Sequence, residues 1–156
     1  MKKIKKVLYL TLLFIGILLL TGCNKEPISA NDFYINMKKK DFTLTNVTED
    51  YSSYNNIEKV YSAQDPSLSY QIVFFETKDD SSAKEVFKSI KKVFKTSLSR
   101  DVKHKVDKDI NDNSKYTAVS GIRFMYINRK KNTIVYVKTK SEFRREILNI
   151  LKKIGY

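Results

Sequence analysis

GIRFMYINRKKNTIVYVK, residues 121–138, is the stretch that decides the fold. Two runs rich in β-branched and aromatic residues, Gly121 to Asn128 and Thr133 to Lys138, flank the polar segment Arg129 to Asn132. That pattern predicts two strands joined by a tight turn, an antiparallel hairpin. Alternation puts Ile122, Phe124 and Tyr126 on one face, so part of that set should turn inward. With Phe74, Phe75, Tyr116 and Tyr136 they read as core and cross-strand pairs more readily than as a ligand platform.

The same kinds of segment recur outward from the hairpin. Tyr116 to Ser120 reads as a further strand, and Ile110 to Lys115 as a turn. Arg100 to Asp109 is charged and weakly alternating, as suits an edge strand whose lysines discourage sheet-to-sheet pairing. Phe42 to Val47, Ile57 to Ser62 and Ser69 to Thr77 complete the strands. Three amphipathic helices punctuate them. The first is capped by Ser29 with Asp32 and turns Ala30, Phe33 and Met37 to one face. In the second, Ser82 with Glu85 opens a run that sets Ala83, Val86, Phe87, Ile90, Val93, Phe94 and Leu98 at helical spacing. Thr139 with Glu142 opens the third, where Phe143, Ile147, Leu151 and Ile154 form the inner stripe and Gly155 ends it. Strands in runs between helices indicate α+β architecture, an antiparallel sheet with amphipathic helices packed on it. The order of a capped helix followed by strands occurs twice, from Ser29 and from Ser82. It is compatible with a duplicated helix-plus-three-strand unit.

The N-terminus carries an address. Lys2, Lys3, Lys5 and Lys6 precede the uncharged run Val7 to Leu20, which has the length of a signal h-region and falls short of the roughly 20 residues that span a bilayer. Leu20-Thr21-Gly22-Cys23 follows at once, and Cys23 is the only cysteine. These four residues resemble a bacterial lipobox. The chain as a whole resembles small membrane lipoproteins of Gram-positive bacteria, in the lipobox, in Ser29-Ala30 with Phe33, in Asn132 to Tyr136 and in Lys152 to Tyr156. The resemblance implies cleavage between Gly22 and Cys23 and a diacylglyceryl (palmitate-type) thioether on Cys23. Membrane lipid is then a partner, and the address is the extracytoplasmic face of the cell membrane. The group brings no catalytic residues. The expected organisation is a signal peptide over residues 1–22, a lipidated cysteine and short tether over 23–28, and one domain over 29–156. That domain is long enough for its own core and, with no second cysteine, is stabilised by packing without disulfides.

Charge narrows the partners. The chain has 156 residues, 30 of them Lys or Arg against 17 Asp or Glu, for a formal net charge of +13. It stays strongly basic without its first four lysines. Lys84, Lys88, Lys91, Lys92 and Lys95 gather on the outer face of the Ser82 helix. A solvated lysine face explains them structurally, and contact with an anionic membrane surface or envelope polymer is the functional alternative. Nothing matches a DNA- or RNA-reading motif, so nucleic acid is not an expected partner.

Little of the sequence points to chemistry. His104, the only histidine, lies between Lys103 and Lys105, whose charge disfavours its protonation. No nucleophile elbow accompanies it. Asp107, Asp109, Asn111, Asp112 and Asn113 begin like a calcium loop. Asp112 then stands where glycine makes the turn and Ala118 where a bidentate carboxylate belongs, so a solvated turn is the better reading. No catalytic residue, metal site or cofactor is expected. The expected function is that of a non-enzymatic binding module for an envelope component or partner protein. An accessory or inhibitory subunit of a membrane complex is the alternative, and an envelope hydrolase the least favoured.

Overall fold

The computed structural model describes residues 26–98, 102–110 and 112–156. The expected signal peptide, with Gly22 and Cys23, lies outside the described residues. The elements run α1 (Ala30–Lys38), β1 (Thr43–Asn46), a 3-10 turn (Thr48–Tyr51), β2 (Ile57–Gln64), β3 (Gln71–Thr77) and α2 (Asp80–Thr96). There follow β4 (Val102–Ile110), β5 (Asn113–Ser120), β6 (Arg123–Lys130), β7 (Thr133–Lys140), a second 3-10 turn (Ser141–Phe143) and α3 (Arg144–Lys153). The strands form one seven-stranded sheet, ordered β1-β2-β3-β7-β6-β5-β4, with every neighbour antiparallel. This is the α+β architecture read from the sequence. Each half of the chain is a helix followed by a meander. The second meander has four strands to the first one's three, and the two meet where β3 pairs with β7.

Helices cover both faces of the sheet. Phe33 and Met37 of α1 and Ile147 and Leu151 of α3 pack with Phe74, Tyr126 and Val135. Ala83, Phe87 and Phe94 of α2 pack on the other side with Phe75, Met125, Ile127 and Ile134. Neighbours along a strand point to opposite faces, so Phe74 feeds one core and Phe75 the other. The central strands therefore read as unbroken apolar runs, whereas β4, at the edge, alternates. Among the described residues, both cores lie between Ile28 and Tyr156, so the chain from Asn24 onward contains this packing.

Several boundaries differ from expectation. Ser29 caps α1 as expected: its hydroxyl accepts from the Asp32 amide at 3.1 Å and Asp32 answers from the other side. The cap of α2, however, is Asp79, whose Oδ1 accepts from the Ser82 amide at 2.7 Å. Ser82 lies a turn inside, largely buried. The helix starts early because Thr77 ends the sheet, bonding through its amide and hydroxyl to the Asn132 carbonyl. Thr139 opens no helix. It pairs with Phe124 as β7 runs on to Lys140, and α3 has no side-chain cap. The final hairpin is also tighter than expected. Arg129 and Lys130 are strand residues, and only Lys131 and Asn132 turn, with Lys131 at φ 47°. Likewise β4 and β5 extend through the expected turn, Ile110 pairing with Asn113. Val93, expected on the inner stripe of α2, is 61% exposed.

Two polar groups fix the geometry, Arg129 between layers and Asp65 within one loop. Arg129 has a fully buried side chain. Its guanidinium donates to Asp80 at the start of α2, to Ser114 Oγ at 3.0 and 3.1 Å, and to the Lys131 carbonyl at 3.2 Å. One side chain thus ties β5, β6, the last hairpin and α2. Asp65, in the β2–β3 loop, accepts from the amides of Tyr70 at 2.6 Å and Ser67 at 3.1 Å, and from both Gln64 and the Ser67 hydroxyl. Burial pushes its pKa up, but the Ser67 and Tyr70 hydrogen bonds outweigh that and hold it below the usual 3.8.

Two outcomes follow. Asp80→Ala should cost about 3 kcal/mol in urea unfolding, because it leaves a buried guanidinium without its counter-charge. Arg129→Met should cost less, about 1 kcal/mol, since Asp80 is 36% exposed and keeps Lys84. An Asp80→Ala variant as stable as the wild type would show that Arg129 is satisfied without it. Asp65 has its pKa lowered on folding, so the stability it adds is complete above its unfolded value and is lost as pH falls through the folded one. The stability difference between wild type and Asp65→Asn should be constant from pH 7 to about 5 and shrink below about pH 4. A difference independent of pH would show that the carboxylate charge is not what the loop uses.

Candidate basic face of helix α2

α2 presents its lysines opposite the stripe formed by Ala83, Phe87 and Phe94, as the sequence spacing requires. The five do not share one environment. Lys84 Nζ lies 2.6 Å from Asp80 Oδ2, one helical turn back. Lys91 is half-buried and donates to Asp107 on β4, with its ammonium 5.7 Å from the ring centroids of both Phe87 and Tyr116. Lys95 joins the same carboxylate at 3.7 Å and stands 6.0 Å from the Tyr116 ring. Burial raises the Asp107 pKa, but the bond and charge of Lys91, helped by Lys95 and Lys105, bring it below the ordinary carboxylate range. These contacts join α2 to the edge strand. Lys91 is thus a structural residue first.

Lys88 and Lys92 are different. Both are exposed, and among the described residues no carboxylate lies within 4 Å of either. With Lys91, Lys95 and Thr96 they line a shallow hollow of about 460 Å³. An open hollow edged by ammonium groups suits phosphate or carboxylate groups on a polymer or membrane surface. It reads charge, because ammonium groups on flexible stems impose little geometry.

The other residues singled out by sequence fall elsewhere. His104 lies on edge strand β4 opposite Val119; its side chain is outside the described residues. Asp107 and Asp109 are on the α2 side of β4, Asp107 bound to lysines and Asp109 accepting from Ser114 Oγ at 2.6 Å. Asn111 is outside the described residues. Among the described residues no group of three or more His, Cys, Asp or Glu is placed to hold a metal ion. None of their helices is long and apolar enough to cross a membrane. Phe124 and Tyr126 share a face and are buried, whereas Ile122 sits in the β5–β6 turn, 73% exposed.

No protein-family model matches the chain. A search of curated proteins likewise returns no match. Among solved structures, a crystal structure of a GTP binding regulator from Thermotoga maritima is similar over 80% of this chain and 88% of that one, at 16% identity and a TM-score of 0.46.

Proposed function

We propose that this chain is a lipid-anchored, extracytoplasmic binding module of a bacterial cell envelope, working without catalysis. Cys23 carries the lipid, and the basic face of α2 meets an anionic envelope component, a phosphate-bearing polymer or the anionic membrane surface itself. The observation that carries the reading is the charge balance on α2, where Lys88 and Lys92 edge an open hollow with no acidic partner among the described residues.

The tether supports it. Ile28 packs against the core beneath α1 and α3, five residues after Cys23, so the anchor would lie within about 18 Å of the packed domain. Glu26 Oε2 is 2.6 Å from Lys131 Nζ, which brings the chain's entry beside the β6–β7 turn. α2 starts at that same end, joined through Asp80 and Arg129. A lysine that reaches the surface contributes about 1 kcal/mol within the 8 Å or so over which surface charge acts at physiological salt. The same short tether favours a second reading, an accessory subunit held beside a membrane partner.

Two experiments separate these readings. Cys23→Ala should abolish incorporation of labelled fatty acid and leave an unprocessed precursor, and label retained on the variant would refute the anchor. The chain from Asn24 onward should be retained on anionic vesicles or wall polymer. Lys88→Glu with Lys92→Glu should weaken that retention about tenfold or more, as should added salt. Retention unchanged by 0.5 M salt would sink the basic-surface reading. A protein partner recovered only with the anchored form would favour the subunit.

A further inference from the structure

The sheet face beneath α1 and α3 is not filled out to the edge strand. There Val106 and Lys108 of β4 and Lys115 and Thr117 of β5 meet Phe124 of β6 and Arg144 and Leu148 of α3. Together they line a hollow of about 300 Å³, at the small end of ligand pockets. It lies on the opposite side of the sheet from the α2 lysines. Strand alternation explains its chemistry: on β4, Asp107 and Asp109 turn toward α2, so Val106 and Lys108 are left for this face.

Its charged groups are all of one sign. Among the described residues no carboxylate lies within 4 Å of Lys108, Lys115 or Arg144. Lys115 is partly buried, its ammonium 5.0 Å from the centroid of the Tyr126 ring. The Arg144 guanidinium stands 5.9 Å from the Phe124 ring, and the two rings are 6.4 Å apart. Burial, then repulsion from Lys108 and Lys130, lowers the Lys115 pKa from the ordinary lysine value. The contrast with the α2 side is informative. There Asp107 is shared by Lys91 and Lys95, whereas here the rings of Tyr126 and Phe124 lie beside Lys115 and Arg144, and like charges stay together on a partly buried surface. Such a cluster is relieved by an anion, and a cleft lined by one sign concentrates counter-ions. The floor of Val106, Phe124 and Leu148 adds a second requirement. A hydrated inorganic ion would leave it uncovered, while a ligand with an apolar part would bury it and gain from doing so.

We propose that this hollow binds a small amphiphilic anion, with its phosphate or carboxylate head on Lys108, Lys115 and Arg144 and its apolar part on Val106, Phe124 and Leu148. The volume admits a short chain or a single ring, not a diacyl lipid.

The chain from Asn24 onward, labelled with nitrogen-15, tests this by titration with hexyl phosphate, heptanoate, inorganic phosphate and hexanol. Saturable binding of hexyl phosphate or heptanoate, tighter than inorganic phosphate and than hexanol, supports the proposal, and the tighter of the two acids names the head group. Lys115→Gln should weaken that binding about tenfold. Lys108→Gln, at an exposed edge position, should weaken it too and serves if Lys115→Gln fails to fold. Lys88→Gln, on the other side of the sheet, should leave it unchanged. Inorganic phosphate binding as tightly as hexyl phosphate would overturn the proposal. So would hexanol binding as tightly as the acids, or affinity untouched by the Lys108 and Lys115 changes.

Discussion

The antiparallel pairing of β3 with β7 is the constraint on which the rest depends. Ile72 faces Val137 and Glu76 faces Thr133, so segments about 60 residues apart in the chain lie side by side in the middle of the sheet. Closing such a loop costs conformational entropy that local contacts do not repay. The return comes from both faces at once. Phe74 and Val135 enter the core beneath α1 and α3, and Phe75 and Ile134 enter the core beneath α2. A one-residue slip between these strands would exchange the two sets and put a mismatched surface under every helix. The outer strands follow from this pair by short turns, β2 and β1 on one side and β6, β5 and β4 on the other.

Arg129 is where that register is checked from outside the apolar core. A buried guanidinium is tolerable only if its donors are met, and its partners come from α2, β5 and the turn after β6. The α2 helix can therefore dock in one position along the sheet. Such a polar contact adds little net stability over a well-packed apolar replacement. What it adds is discrimination among positions that hydrophobic burial alone would accept. The Thr77–Asn132 bonds act beside it, fixing where the sheet ends and so where α2 begins.

The fold was legible in the sequence because its strands are rich in β-branched and aromatic residues and its helices have strong apolar stripes. Ser29's cap was legible too, since both partners lie within one turn. Ser82 and Thr139 misled for one physical reason: a capping-box pattern states what a local segment could do, and tertiary pairing decides. Thr139 continues β7 because Phe124 is opposite it, and Asp79 takes the cap of α2 because the sheet releases the chain at Thr77. The α2 lysine face was visible as a periodic stripe. Its division into Lys91, bound to Asp107, and Lys88 with Lys92, unpaired among the described residues, was not, because Asp107 is 16 residues further along and on another element.

The same limit applies more strongly to the hollow under α3. Lys108, Lys115 and Arg144 are unremarkable in a chain with 30 basic residues, and no spacing links them. They are brought together by three facts that exist only in the fold. The β4–β5 hairpin sets Lys108 directly opposite Lys115. The pleat directs β4's acids to the other face. The start of α3, delayed past the sequence-predicted cap at Thr139, puts Arg144 over Phe124. The unequal treatment of charge on the two faces of one edge strand, with Asp107 shared by Lys91 and Lys95 on one and cations of one sign on the other, distinguishes lysines that join α2 to β4 from those left for a ligand.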